Sequence, residues 1–349
     1  MKLPVRLLAL LGAAMLAAFV VSCGGSHSGG SAKENPSDPK AGWPKTFRVG
    51  LFGGDDADAT ILNANPLKKV LEAKLGIPVE ISTGTSYGAV VEAMRNNKIE
   101  GMQGGPFAYV LGVQEAKAEA IATTISTTAK EPKYDEALLP YYYSVIVTRK
   151  GSGIKTLNDL KGKGFAFVDP ASASGHLAPK TYLIKNGINP DKDMQTVFAG
   201  SHPTSLLSVW NSKTPAGATF EGNLKNLADS GQVKWCSYPD GKVGIKRTDD
   251  ELKKLYDSCP DGNIVIIAQT DAIPNSPFSV RQDLPATFKA AVRDALLSVK
   301  DDPAFITARK GWYADPSTTL GLKNLDTMYN PLRDIAKLLN LDLKQLAEQ

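Results

Sequence analysis

The sequence predicts an α/β fold with mostly parallel sheets, and three observations predict it. From Thr46 onward, short apolar runs alternate with segments of helical spacing. The chain has 349 residues, 42% hydrophobic and 22% charged, an ordinary globular composition with room for two domains. No repeat of solenoid period replaces that alternation.

The N-terminus stands outside this pattern. In MKLPVRLLALLGAAMLAAFVVSC, Lys2 and Arg6 precede an apolar run from Leu7 to Val21. A basic end and a short hydrophobic core make a secretory signal, too short for a comfortable membrane span. Residues 1–22 are therefore expected to be a signal peptide. Val20-Val21-Ser22-Cys23 resembles a bacterial lipobox, which implies cleavage before Cys23 and a diacylglyceryl thioether on its sulfur. An ordinary signal peptide with an incidental cysteine is the alternative. GGSHSGGSAKENPSDPKAGWPK follows, rich in Gly, Ser and Pro and poor in apolar residues. Residues 23–45 thus read as a lipidated cysteine and a flexible tether, with His27 solvated in it.

The elements follow in order. FRVGLF (47–52) is a short apolar strand. Asn65-Pro66 opens a helix, with Asn as cap and Pro in the first turn. Leu67, Val70, Leu71 and Leu75 carry its apolar face, and Gly76 closes it. PVEIST alternates as a strand. SYGAVVEAMRNNK is a helix through Val90, Val91 and Met94. GGPFAYV reads as a glycine-rich turn before a strand ending near Ser126. YYYSVIVTRK is the longest strand-like run, and a short helix with Leu157 and Leu160 follows it. GFAFV and MQTVFA are strands, and PTSLLSVWNS is a helix. Residues 216–220 form a strand and NLKNLADSG a helix. VKWCSY and NIVIIAQ read as strands. LPATFKAAVRDALLSV is an amphipathic helix, with more helix to the end. The strand through Val147 and the segment IPNSPFSVR look like two crossings between halves. The expected lobes are 46–147 plus 276–349, and 148–275.

Three helix starts are rich in small donors. DPASASGHLAP (169–179) follows the strand GFAFV. The first amides of a helix have no internal acceptor and carry partial positive charge. Ser172 and Ser174 add hydroxyls there, and Gly175 removes a Cβ from the approach of an anion. Plain capping explains the serines equally well. Ala199-Gly200-Ser201-His202 opens the next helix, with Ser201 and His202 as candidate donors or ordinary capping residues. Thr83-Gly84-Thr85-Ser86-Tyr87 is the third, where the Tyr87 phenol either donates to an anion or packs. Ligands of α/β sheets sit beyond the carboxyl ends of strands. Together the three favour a small tetrahedral oxyanion held by backbone and hydroxyl donors.

These motifs resemble those of the phosphate/phosphite/phosphonate-binding proteins of bacterial ABC importers. The matching pieces are VGLFGGDDADAT, LEAKLGIPVEI, TSYGAVVEAMRNNKIEG, QGGPFAYVLG, DPASASGHLAP, VFAGSHPTSLLSV and IPNSPFSVRQDLP. They cover roughly residues 47–308, and their order and spacing are specific only in combination. The resemblance implies a two-lobed periplasmic-binding fold of type II, with mixed sheets, two crossover strands as hinge, and ligand in the cleft. It implies an extracytoplasmic lipoprotein that captures phosphonate, phosphite or phosphate and delivers it to a permease, with no cofactor. By motif position, Tyr87, Tyr142, Ser172, the Ala173 amide, Ser174, Gly175 and His202 are its ligand residues. Ala173 stands where some members have threonine. Ser276 stands where aminophosphonate binders carry an acid, and Glu221 fills a second acid's place with a register uncertain by one residue. Losing one acid favours phosphate, phosphite or a small neutral phosphonate. The segment 239–262, bracketed by Cys236 and Cys259, is longer than the family's and reads as a stapled surface excursion.

Outside the cytoplasm, an even cysteine pair such as Cys236 and Cys259 usually forms a disulfide, stabilising by about 3 kcal/mol. Two free thiols are the alternative, and a pair without a nearby histidine makes a poor zinc site. Other functions have weak support. A formal charge of +4, with no RNP motif or long basic run, argues against nucleic acid. Asp55, Asp56 and Asp58 are conceivable ligands for Mg²⁺ or Ca²⁺, but a solvated loop and helix cap at the cleft rim explains them more simply. No G-x-S-x-G elbow or P-loop is present. Of the folded-domain histidines, His176 is expected to be exposed. An exported metal-dependent phosphatase, and a sensor with the same cleft but a receptor partner, remain as alternatives.

Overall fold

The structure is a computed structural model that describes residues 38–54, 56–127 and 129–347. Cys23, the signal segment and most of the tether lie outside those residues. Among the described residues no helix is long and apolar enough to cross a membrane. Residues 38–41 form a turn in which the Ala41 amide donates to Asp38, and the chain from Gly42 forms a second unit.

Strand β1 (Phe47–Phe52) lies where its apolar run placed it. Helix α1 (Ala57–Asn63) follows, with the Asp56 carboxylate accepting from the Ala59 amide at 2.8 Å. Helix α2 (Asn65–Leu75) buries Leu67, Leu71 and Leu75 and stops at Gly76, whose φ of 62° suits glycine. Asn65 is inside this helix rather than its cap; Ala64, ending α1, holds the cap position without a side-chain bond. Then come β2 (Val79–Gly84), α3 (Tyr87–Arg95), β3 (Gly101–Gln103), α4 (Pro106–Ala116) and β4 (Ala118–Ser126). The expected turn at GGPFAYV is in fact the start of α4. Phe107, Tyr109, Val110 and Leu111 are all buried, so no polar face marks it as a helix.

The chain then changes sheets. Strand β5 (Tyr141–Arg149), β6 (Gly164–Phe167), α5 (Ala178–Lys185), α6 (Pro190–Asp193), β7 (Gln195–Phe198) and α7 (His202–Trp210) come first. Strand β8 (Ala216–Phe220), α8 (Glu221–Asp229), α9 (Asp249–Ser258) and β9 (Ile264–Pro274) complete this half. Strand β10 (Pro277–Arg281) returns to the first sheet, followed by α10 (Ala286–Leu297), α11 (Pro303–Arg309), β11 (Gly311–Ala314), α12 (Asn330–Leu338) and α13 (Leu343–Ala347). The sheet orders are β11-β4-β10-β3-β1-β2 and β7-β6-β8-β5-β9. All of β5 lies in the second sheet, so the expected boundary at 147/148 falls inside a strand.

Parallel pairing joins β1 to β2 and β3, and β6 to β7 and β8; the other five pairings are antiparallel. Both sheets are therefore mixed, less parallel than the alternation implied. The crossover strands β5 and β9–β10 and the edge strand β11 account for the difference. VKWCSY does not form a strand; only Trp235 bridges to Ile264.

Each sheet is buried on both faces. Phe47, Leu71, Phe288 and Trp312 centre one core of the first sheet. In the second, one core gathers Leu206, Leu224, Leu252 and Tyr256, the other Phe165, Phe167 and Leu183. Cys236 and Cys259 are bonded, with Cα atoms 5.7 Å apart. Both cysteines and α9 belong to the core of the second half. The stapled segment is thus a surface excursion only as far as Glu251, and Leu252, Leu255 and Tyr256 of α9 enter the core. A fourth core joins the halves: Ala171, Ala173 and Leu177 pack with Tyr87, Tyr109 and Tyr329.

Candidate functional site

The two halves enclose a cavity of about 1190 Å³. Its lining includes Tyr87, Tyr142, Ser172, Ala173, Ser174, His202, Glu221 and Ser276. Of the expected ligand residues only Gly175 is missing from it.

The seat after β6 is built by one wide turn. The Leu177 amide reaches back five residues to the Ser172 carbonyl, a π-type turn. Ser172 caps it, its Oγ accepting from the Gly175 amide at 3.0 Å. Ala173 and Ser174 supply helix-start amides, a class without an acceptor in its own helix. The Ser174 carbonyl takes the Ser144 hydroxyl at 2.6 Å, which ties the turn down onto β5. Gly175 has a different reason from the expected one. A Cβ there would lie 2.3 Å from Val168 Cβ, so glycine lets the turn pack on its own strand, not an anion approach.

Tyr87 begins α3 behind the Ser86 cap, whose Oγ accepts from the Ala89 amide at 3.0 Å. Its ring stacks on Phe52, with centroids 4.1 Å apart. The phenol lines the cavity beside the Ser172 hydroxyl, so a donor of the first half stands near one of the second. Burial, with Tyr142 and Asp169 nearby, pushes this phenol well above its ordinary range, so it stays a protonated donor. Burial raises the Tyr142 phenol likewise, and Ser174 lies beside it in the cavity wall. Asp169 adds a link that the motif reading did not assign. Its carboxylate accepts from the Ala171 amide at 2.7 Å and lies near the Tyr87 amide across the cleft. Burial pushes this carboxyl up, and the two amides oppose the shift.

His202 is the first residue of α7, behind Ser201. Ser201 Oγ accepts from the Thr204 amide at 3.1 Å, so this serine is a cap and not part of the cavity lining. His202 Nδ1 lies 3.1 Å from Thr219 Oγ1, and Nε2 lies 3.5 Å from Ser172 Oγ. Asn223 donates to the same Thr219 hydroxyl at 3.0 Å. That hydroxyl has its own proton for Nδ1, an arrangement that accommodates the imidazole proton on Nε2, the nitrogen nearest Ser172. Phe220 stands edge-on to the ring at 4.8 Å.

Glu221 begins α8 and is buried, and burial pushes its carboxyl up. Ser276 sits at the β9–β10 link, its carbonyl accepting from the Thr124 amide at 3.0 Å. His176 is the clear correction. It is buried, its Nδ1 2.9 Å from the Pro170 carbonyl and its ring edge-on to Phe167 and Phe198. Helical phase turns it onto β6 and away from the cavity. Among the described residues no group of three or more His, Cys, Asp or Glu is placed to hold a metal. Asp55 lies outside those residues. Lining residues that sequence reasoning missed include Phe52, Gln103, Gly105, Phe220 and Asn275. Phe52, Gln103 and Phe220 end strands and Gly105 and Asn275 follow them, and that position is the only local signal they carry.

A family model for the periplasmic phosphonate substrate-binding protein of ABC transporters matches residues 51–316. The phosphate-import protein PhnD of Mycolicibacterium smegmatis is 32% identical over 233 residues, which is 64% of this chain and 68% of that protein. The phosphonates-binding periplasmic protein of Escherichia coli is 28% identical over 275 residues, 77% and 71% of the two chains. Among solved structures, PhnD1 of Prochlorococcus marinus in complex with methylphosphonate has a TM-score of 0.62 at 18% identity. The match covers 85% of this chain and 99% of that one. At that identity the likeness speaks for the fold.

Proposed function

This chain belongs to the periplasmic substrate-binding proteins of phosphonate ABC transporters, and from that premise we propose which atoms hold its ligand and what tethers it. The family is one of binding proteins rather than enzymes. The ligand is a tetrahedral phosphorus oxyanion: a phosphonate, phosphite or phosphate, the classes named for its relatives. Its oxygens accept from the Tyr87 and Tyr142 phenols, the Ser172 and Ser174 hydroxyls, the Ala173 and Ser174 amides, and His202 Nε2. Ser276 lines the wall on the crossover side.

One observation carries this reading. The Tyr87 phenol, on α3 of the first half, and the Ser172 hydroxyl, at a helix start of the second, line the same cavity, so donors from both halves converge on it. Neutral donors suit a small oxyanion, since each stays a donor whatever the ligand's charge. The lobes are the two sheets with their helices, meeting between Ser126 and Tyr141 and again between Pro274 and Pro277. Closing them over the ligand presents one surface to the permease.

Titration calorimetry with phosphate, phosphite and methylphosphonate tests the site. At least one should bind, and His202→Ala or Tyr87→Phe should weaken it by roughly 1–3 kcal/mol, the cost of an unreplaced donor. Wild-type affinity in both variants would place the ligand elsewhere.

The membrane tether is a lipid on Cys23, followed by the Gly/Ser-rich leash. Its support is the basic-then-apolar leader ending at that cysteine. Mass spectrometry of protein from the membrane fraction should find a diacylglyceryl group on Cys23, and Cys23→Ala should move the protein out of that fraction. An unmodified Cys23 in membrane-bound protein would refute this anchor.

A further inference from the structure

The cavity's acids are the point of departure. Among the described residues only Glu221 and Asp135 line it as acids. Asp135 is exposed and accepts from the Ala137 amide at 2.9 Å. Glu221 is 3% exposed. Its Oε1 accepts from the Tyr238 hydroxyl at 2.7 Å and from Gln269 Nε2 at 2.6 Å, and its Oε2 accepts from the Gly244 amide. Two of these donors, Tyr238 and Gly244, come from the disulfide-bracketed segment.

The same bonds shape that segment. Gln269 also donates to the Ile245 carbonyl at 3.0 Å and accepts from the Arg247 amide at 2.7 Å. The Arg247 guanidinium lies over the Tyr238 ring at 4.2 Å and binds the Asp240 carboxylate at 2.8 Å. Gly241, Lys242, Val243, Gly244 and Ile245 are thereby held as a wall of the cavity. Behind it, the Lys246 ammonium lies 2.8 Å from the carbonyls of Gln269 and Thr270.

We propose that Glu221 sets ligand selectivity as a positioning residue: its carboxylate is engaged by the stapled loop, so the cleft admits phosphorus oxyanions bearing a small uncharged substituent or none and discriminates against aminoalkylphosphonates. This rests on the phosphorus-oxyanion reading above and deepens it. A ligand ammonium entering this wall loses its water, meets Lys242 and finds no carboxylate without donors. Burying a cation on those terms is costly.

Ethylphosphonate and 2-aminoethylphosphonate differ at that end by an ammonium group, so calorimetry with the pair reads the effect. The wild-type protein should bind ethylphosphonate about tenfold or more tightly than the amine. Tyr238→Phe removes one of the three donors and little volume. It should narrow that ratio about threefold or more while leaving ethylphosphonate affinity within about twofold. A loop with a merely structural role would instead shift both ligands together. Tighter binding of the amine by wild type, lost in Glu221→Gln, would overturn the proposal by showing the carboxylate facing the ligand. An unchanged ratio in Tyr238→Phe would overturn it too. Failure of phosphate, phosphite and both phosphonates to bind would sink the oxyanion reading itself, and this inference with it.

Discussion

His176 lies two residues beyond Ser174 of the cavity wall, yet its ring packs edge-on against Phe167 and Phe198. Burial pushes its imidazole from the ordinary 6.5 down to about 4. The folded chain therefore refuses a proton that the unfolded chain takes up between those values. This group's stability is fully present above 6.5 and falls as pH drops toward 4, by roughly 1.4 kcal/mol per pH unit. His176→Gln should lose about 2–3 kcal/mol less than wild type between neutral pH and about pH 4.5. Urea unfolding at the two pH values measures this, and equal losses would refute it. Nothing in ASASGHL separates cavity residues from core residues. Ser172, Ala173 and Ser174 line the cavity, whereas Gly175 and His176 turn to Val168 and Phe167. A wide turn alters the phase of the residues after it, and ordinary helical spacing does not foresee that.

At the scale of elements, amphipathic segments were legible and fully buried ones were not. Helix α3 shows Val90, Val91 and Met94 on one side, and its start at Ser86 follows from capping chemistry. Helix α4 is apolar all round and sits under the first sheet, so its periodicity is silent. VKWCSY alternates well enough for a strand, but only Trp235 pairs, because the disulfide and α9 hold the following residues against the core. That bridge closes a separation of 23 residues. Replacing both cysteines by serine should lower stability by about 3 kcal/mol in the chain-entropy model. A guanidinium midpoint unchanged from wild type would mean that the segment's packing alone holds it.

From Gly42 onward, the described residues form two mixed sheets whose halves share an apolar core. Ala171, Ala173 and Leu177 of the second half pack on Tyr87, Tyr109 and Tyr329 of the first. The buried Asp169 carboxylate lies near the Tyr87 amide at this contact. The contact that brings the seat to Tyr87 is therefore largely apolar and non-directional, while the donors set its orientation. Glu221 belongs to this scale as well. By resemblance the sequence offers Glu221 as an acid facing the ligand, but Tyr238, Gly244 and Gln269 decide what that acid does.

By itself, the sequence determined the order of most strands and helices and the donor-rich helix starts. Both follow from residues a few positions apart, through periodicity and capping. Only the tertiary structure decided that Tyr87 meets Ser172, that His176 turns away and that Glu221 is already bonded. Those outcomes depend on distant segments brought together by sheet crossing and apolar packing, and no local spacing encodes which distant partner arrives.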